Sequence, residues 1–247
     1  MANAVSTLDQ NNLEVAIVVP TYNESETLPQ LIEKVVAQRI DGLGFIIVDD
    51  GSPDGTGAIA DRLADEFAGG FIVLHREGKQ GLGTAYIAGF QTALDAGAQY
   101  IVEMDADLSH PPEVLHGLIA KLDEADVAVA SRYTPGGGVD PGWSWGRQQI
   151  SYWGNVGIRL MLGLNVRDAT AGFKAFRRTT LERIGIDRLT LSGFGFQAEV
   201  AYRCEQAGLS VVEHPYVFME RTAGKSKMSF CIVVEAVFRL SWLRIRR

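Results

Sequence analysis

The sequence predicts an α/β fold: a mostly parallel sheet flanked by helices. Two observations carry that prediction. Short apolar runs rich in β-branched residues alternate with helix-period segments through the first half of the chain, which is the pattern of βαβ units. Three of those runs end in polar clusters, Thr21-Tyr22-Asn23-Glu24, Asp49-Asp50-Gly51-Ser52 and Asp105-Ala106-Asp107. Open parallel sheets bind ligands beyond the carboxyl ends of their strands, so the clusters point to one site. One acidic strand end would be ordinary, since Asp often caps the helix that follows. Three are not.

In order along the chain, residues 15–20 read as a strand, followed by a polar turn and a helix over 25–38. Residues 45–49 repeat the pattern, ending where Asp54 can cap a helix over 56–67. Strands over 71–75 and 100–104 bracket a helix over 81–94, and Pro111-Pro112 opens a helix where proline is tolerated. A fifth strand spans 127–131. Residues 134–142, rich in Gly and Pro, read as a mobile loop. Residues 143–164 mix Trp, Tyr, Met and Leu with Arg147 and Arg159, which suits either an interfacial helix or a core helix with two exposed arginines. A helix over 194–206, a strand over 211–218 and an amphipathic helix over 228–246 complete the reading.

A chain of 247 residues, 47% hydrophobic and 21% charged, can bury a full globular core. Its net charge of -7 argues against nucleic acid as a partner, because tracking phosphates needs a basic excess. The balance is uneven: from Arg221 onward the basic residues Arg221, Lys225, Lys227, Arg239, Arg244, Arg246 and Arg247 face only Glu235. An acidic body with a basic tail suggests that this end meets anions. Cys204 and Cys231 lack metal-type spacing and read as inert thiols of a reduced compartment. Residues 1–12 lack the charged and apolar regions of a signal peptide, and no run reaches the roughly 18 apolar residues of a membrane span.

Asp105 and Asp107, one residue apart at a strand end, can both turn toward one hard cation, and Mg²⁺ or Mn²⁺ commonly bridges carboxylates to a diphosphate. Ser109 adds a hydroxyl. Asp49-Asp50 can accept from a ribose or a base, or cap the next helix. Tyr22 and Glu24 lie where a base and ribose would stack or bond. The segment Gly78-Lys79-Gln80-Gly81-Leu82-Gly83 fits neither a Walker loop nor a dinucleotide fingerprint, which disfavours kinase, ATPase and dehydrogenase readings. Arg221 and Lys227, on a glycine-bearing segment after the last strand, suit a lid over a diphosphate or a solvated charge run.

The ordered set Val18-Val19-Pro20-Thr21-Tyr22-Asn23-Glu24, residues 48–56, Met104-Asp105-Ala106-Asp107-Leu108-Ser109-His110-Pro111, Ser131-Arg132-Tyr133, Arg147 with Ser151, residues 168–173, Phe196-Gln197-Ala198-Glu199 and residues 221–227 resembles glycosyltransferase family two, and within it the polyprenol phosphate mannose synthases. The resemblance implies a GT-A (Rossmann-like) fold, a donor such as GDP-mannose, a polyprenyl phosphate acceptor and a divalent metal, Mg²⁺ or Mn²⁺. It implies one domain over 1–247: a nucleotide-sugar half (13–131), an acceptor half (132–229) and a basic amphipathic tail (230–247). By motif position, Pro20, Tyr22, Glu24, Val48, Asp50, Asp105 and Ala106 would bind the donor, with Arg221 and Lys227 on its diphosphate. Asp105, Asp107 and Ser109 would hold the metal, and Arg132, Arg147 and Ser151 the acceptor phosphate. Asp105, Asp107 and Arg132 would carry catalysis.

The resemblance further implies a cytoplasmic protein peripheral to the membrane's cytoplasmic face. It would bind the membrane surface through residues 143–164 and the basic final helix, or through a partner membrane protein. Actinobacterial relatives are joined to, or lie beside, a membrane acyltransferase domain. A lipid phosphate is already anionic at neutral pH, since comparable monoesters have a second pKa near 6, so it needs no enzymic base. His110 therefore reads as structural, and Glu199 is not needed as a base. In-line attack would invert the anomeric centre. The rival readings are a UDP-glucose-dependent polyprenyl-phosphate glucosyltransferase and a catalytically silent membrane-associated subunit.

Overall fold

Strand β1 (Val15–Thr21) reads VAIVVPT, and every residue except Pro20 is buried. A strand apolar on both sides belongs in the middle of a parallel sheet with helices over each face. The computed structural model, which describes residues 13–67, 70–191 and 193–220, has that arrangement. Strands β2 (Leu43–Asp49) and β4 (Tyr100–Glu103) flank β1 in parallel, with Ile17 opposite Phe45 on one side and Val102 on the other. Beyond β2 lies β3 (Phe71–His75); beyond β4 lie β7 (Lys174–Arg177), β5 (Val127–Ser131) and β8 (Val211–Pro215). The seven-stranded order is β3-β2-β1-β4-β7-β5-β8, so the winding direction reverses between β1 and β4. That switch point is where a crevice opens above the strand ends.

Alternate residues of β1 feed two cores. Val15, Ile17 and Val19 pack with α1 (Thr27–Val36), α2 (Thr56–Glu66) and α4 (Leu115–Ala120). Ala16 and Val18 pack with α3 (Leu82–Asp95), α5 (Trp145–Leu162), α6 (Arg178–Ile184) and α7 (Phe194–Gln206). Helix α3 lies close to the sheet because of Gly89: a Cβ there would fall 2.2 Å from Val18 Cγ1. Cys204 sits in this core, where burial pushes its thiol up to about 12, so it stays protonated.

The expected strands and helices of the first half form within a few residues of their predicted ends. Three features differ further on. Strand β7 and helix α6 were not expected, and β7 runs antiparallel to both β4 and β5. The expected strand over 211–218 divides at Tyr216, after which β9 (Val217–Phe218) pairs with β6 (Gly138–Val139). The segment expected as a mobile loop is thereby tied down, with Gly138 N donating to Tyr216 O at 3.0 Å and Asp140 N to Phe218 O at 2.8 Å. Among the described residues no helix is long and apolar enough to cross a membrane. Arg221, Lys227 and the expected helix over 228–246 lie outside the described residues.

Candidate active site

The acidic turn follows β4 directly and is fixed from several sides. Asp105 N donates to His110 Nδ1 at 3.0 Å, and the His110 ring, 1% exposed, stacks on Phe173 with centroids 4.9 Å apart. An Nδ1 that accepts has spent the ring's lone pair, so His110 shapes the turn and has no free base nitrogen. Leu108 takes φ 63, a left-handed conformation that a branched side chain rarely adopts. It folds the chain back so that Ser109 N donates to Asp107 Oδ1 at 3.0 Å. The Ser109 hydroxyl, fully buried, donates to the same oxygen.

Asp105 is held from below by a residue the sequence reading did not single out. Tyr86 Oη, on α3, donates to Asp105 Oδ1 at 2.8 Å. Burial, with Asp105 beside it, pushes the Tyr86 phenol well above its ordinary value, so it remains a donor. The other carboxylate oxygen, Asp105 Oδ2, lies 3.7 Å from the point where Gly172 would carry a Cβ. Beneath the turn, the Lys174 ammonium donates to Glu103 at 2.8 Å and also bonds Ala171 O and Gln197 Oε1. Burial holds Glu103 above the usual carboxylate range, against the pull of Lys174.

The β2 end divides its two acids between tasks. Asp49 accepts from Thr21 Oγ1 at 2.9 Å and from Ser52 N at 3.0 Å, so it ties two strand ends together. Asp50 accepts from Gln80 N at 3.1 Å and Gly81 N at 3.0 Å, and pairs with Arg76 at 2.8 Å. The glycine-rich segment is therefore anchored onto β2. Gly51, at φ 67, approaches it so closely that a Cβ would meet Gly78 Cα at 3.0 Å. The N-cap of α2 is Gly55, in the left-handed conformation and without a side-chain cap, rather than the expected Asp54; Asp54, one residue earlier, accepts from Thr56 N at 3.1 Å and from Ser25 N at 3.1 Å. Tyr22 lies at the rim under the Lys79 ammonium, 4.1 Å from the ring centroid. Glu24 accepts from Thr27 Oγ1 at 2.7 Å. Pro20 pairs in register with Val48, whose side chain is fully buried toward α3, so only Val48 backbone can line a pocket. Ala106 is buried within the turn.

Past β5 the arginines part company. Arg132 makes a two-pronged pair with Asp168, Nε to Oδ2 and Nη2 to Oδ1 both at 2.8 Å, and Nη2 also donates to Thr170. Burial opposes charge on both groups, but the pairing prevails: Asp168 lies below the usual carboxylate range and Arg132 above its own. Asp168 is positioned by two residues the sequence reading passed over. Glu213 accepts from Asp168 N at 3.0 Å, and Asn155 Oδ1 accepts from Ala169 N at 2.9 Å. Arg147, by contrast, is partly exposed, stacked over Trp143 at 3.7 Å and paired with Glu220 at 3.1 Å. Ser151 shares a 2.8 Å hydrogen bond with Tyr133. Both expected acceptor arginines pair with a carboxylate, but Arg132 is buried with Asp168, whereas Arg147 and Glu220 are reachable from solvent.

The residues present suit a hard divalent cation. The turn offers oxygen donors, and both Asp105 and Asp107 are oriented by neighbours. Among the described residues no three His, Cys, Asp or Glu side chains gather around one point.

Known proteins resemble this chain in sequence and in fold. The profile of Glycosyl transferase family 2 matches residues 16–185. The chain is 44% identical over 231 residues to a polyprenol monophosphomannose synthase of Mycolicibacterium smegmatis, covering 93% of this chain and 86% of that one. It is 44% identical over 229 residues to an undecaprenyl-phosphate mannosyltransferase of Micrococcus luteus, covering 93% of each. Among solved structures, a mannosyltransferase from Pyrobaculum calidifontis in complex with GDP-Man and Mn²⁺ superposes with a TM-score of 0.62 at 20% identity, over 97% of this chain and 66% of that one. At that identity the likeness is one of fold, the GT-A architecture.

Proposed function

The chain belongs to glycosyl transferase family 2, and on that premise we propose that it transfers mannose from GDP-mannose to a polyprenyl phosphate, with inversion, assisted by a divalent cation. The observation that carries the reading is the 44% identity, spread over 93% of the chain, to two relatives named for transfer to polyprenyl phosphates. The site supports it chemically: a cation-ready acidic turn follows β4, Arg132 follows β5, and the partly exposed Arg147 lies in the first turn of α5.

Asp105 and Asp107 would hold Mg²⁺ or Mn²⁺. The bound ion supplies charge neutralisation on the departing diphosphate. Ser109 orients Asp107 through the hydroxyl bond described above. Tyr22, Glu24 and Pro20 border the nucleotide, and Asp50 acts there by fixing the segment over 78–81. Arg147 and Ser151 receive the acceptor phosphate. Arg132 backs them, its charge held in place by Asp168. Arg221 and Lys227 clamp the diphosphate. No described side chain need take a proton from the acceptor, because the phosphate arrives as an anion.

The acceptor is a lipid, and α5 suits contact with its membrane. Trp145 and Leu160 are each 76% exposed and Trp153 63% exposed, on a helix that also carries Arg147 and Arg159. Apolar side chains with arginines are what an interfacial helix presents to anionic headgroups. We place the protein at the cytoplasmic face of the membrane, held by this surface or by a membrane partner.

Incubation with polyprenyl phosphate and a panel of radiolabelled nucleotide sugars tests the reading. GDP-mannose should label the lipid extract; label from UDP-glucose alone would favour a glucosyltransferase, and no label with any donor would favour a silent subunit.

A further inference from the structure

We propose that Tyr86 is a positioning residue for the cation: its buried hydroxyl holds the Asp105 carboxylate in the orientation in which it would meet the ion. The inference rests on the metal role proposed for Asp105.

Tyr86 sits on α3, a helix otherwise devoted to packing the sheet, and is fully buried. Its ring packs against Phe90 and Phe196, each with its centroid 5.8 Å away, and lies nearly parallel to Phe196 at 5°. That packing leaves the phenol little freedom. The hydroxyl ends 2.8 Å from Asp105 Oδ1. The backbone of Asp105 is independently pinned through His110 Nδ1 at 3.0 Å. A carboxylate with its backbone and one oxygen both fixed has a single orientation. In that orientation Oδ2 stands 3.7 Å from the vacant Cβ position of Gly172.

The alternative is that Tyr86 merely fills the core and satisfies its hydroxyl on the nearest acceptor. A core tyrosine of that kind would affect melting temperature and leave ion affinity alone. A partner that orients a metal ligand does the opposite: its loss commonly weakens metal binding by roughly 10–100-fold. Tyr86→Phe removes only the hydroxyl and keeps the stacked ring. Gly172→Ala alters the surroundings of the same carboxylate and keeps the Tyr86 bond. Its methyl would meet Asp105 Oδ2 at ordinary contact distance, and Gln197 Nε2 and His110 Cε1 at 3.6 Å each, so the fold accepts it.

Mn²⁺ binding to the full chain in the presence of GDP, followed by electron paramagnetic resonance, separates these possibilities. Wild type should bind Mn²⁺, Tyr86→Phe should bind it about 10-fold or more weakly, and Gly172→Ala, which keeps the Tyr86 bond, should match wild type. Transfer by Tyr86→Phe should recover toward wild type at raised Mn²⁺ while the KM for donor sugar stays put. Wild-type affinity in Tyr86→Phe would overturn the role of Tyr86. Should that variant not fold, a crystal of the wild-type chain with Mn²⁺ and GDP in which Asp105 has left the Tyr86 hydroxyl would overturn the claim instead. A wild-type chain that binds no Mn²⁺ with GDP would sink the metal reading itself, a different failure.

Discussion

The two flanks of the site hold their charges in opposite ways. On the donor side, the carboxylates of the acidic turn and Asp49 take hydrogen bonds from neutral groups and backbone amides, Asp107 from Ser109, Asp105 from Tyr86, Asp49 from Thr21 and Ser52, while Asp50 also pairs with Arg76. On the acceptor side, cations are steadied by carboxylates and a ring: Arg132 by Asp168, Arg147 by Trp143 and Glu220. An arginine already paired with a carboxylate offers a phosphate less net charge, and more so the deeper the pair is buried. The difference teaches that motif position alone does not say which arginine meets the ligand. Exposure and existing partners do.

Breaking the donor flank should cost most. Asp107→Ala should lower transfer by about a thousandfold, since Lewis-acid stabilisation is worth several kcal/mol, while circular dichroism stays native. Near-normal turnover would contradict the ion's role.

Breaking Arg132 should cost stability before it costs specificity. Removing one partner of a buried pair leaves an uncompensated charge, at about 3–5 kcal/mol. Arg132→Ala should therefore fall well below wild type in chemical denaturation. A melting curve unchanged from wild type would show that the pair with Asp168 is incidental.

Arg147→Ala should fold normally and lose acceptor binding selectively. A charge-assisted hydrogen bond contributes about 1.5–3 kcal/mol, so KM for polyprenyl phosphate should rise by roughly 10–100-fold with donor KM unchanged. Equal damage in separate donor and acceptor titrations would refute the assignment.

The buried pair also sets an acid limit. Asp168 has its folded pKa lowered from 3.8, so its stabilisation is present above that value and disappears as pH falls through the folded one. Stability measured from pH 5 downward should drop in wild type below about pH 4. The drop should be shallower in Arg132→Met, where the carboxylate no longer gains from ionising. Parallel curves would place the acid sensitivity elsewhere.

The smallest effect concerns the membrane. Trp153→Ser and Leu160→Ser, both at exposed positions, should change stability by no more than about 0.5 kcal/mol. They should still reduce co-flotation with anionic vesicles; unchanged flotation would assign attachment to another surface.

The legible parts of the molecule were those whose physics is local. β1 and β2 are buried on both faces and stand out as continuous apolar runs, and the acids at their ends show where the crevice opens. Strand β7 was hidden by Lys174, a charge that normally marks solvent but is here 1% exposed, because Glu103, far back in the chain, pairs with it. Tyr86 sits at helical spacing among Ala85, Gly89 and Phe90, a pattern that reads as core. Its hydroxyl contact spans two elements and leaves no mark in either. Arg132 and Arg147 look alike as motif residues, and only the fold brings Asp168 to one and Trp143 to the other. Arg76 was findable, as a cation just past β3 beside a glycine-rich segment, where an acidic strand end needs a counter-charge.

A crystal of the full chain grown with Mn²⁺ and GDP-mannose, measured at a wavelength where manganese scatters anomalously, tests the central claim most directly. The account predicts one strong anomalous peak bonded to Asp107 and to Asp105, with the diphosphate on its far side and Tyr86 still on Asp105 Oδ1. A peak elsewhere, or a diphosphate bound with both aspartates turned from it, would contradict the account.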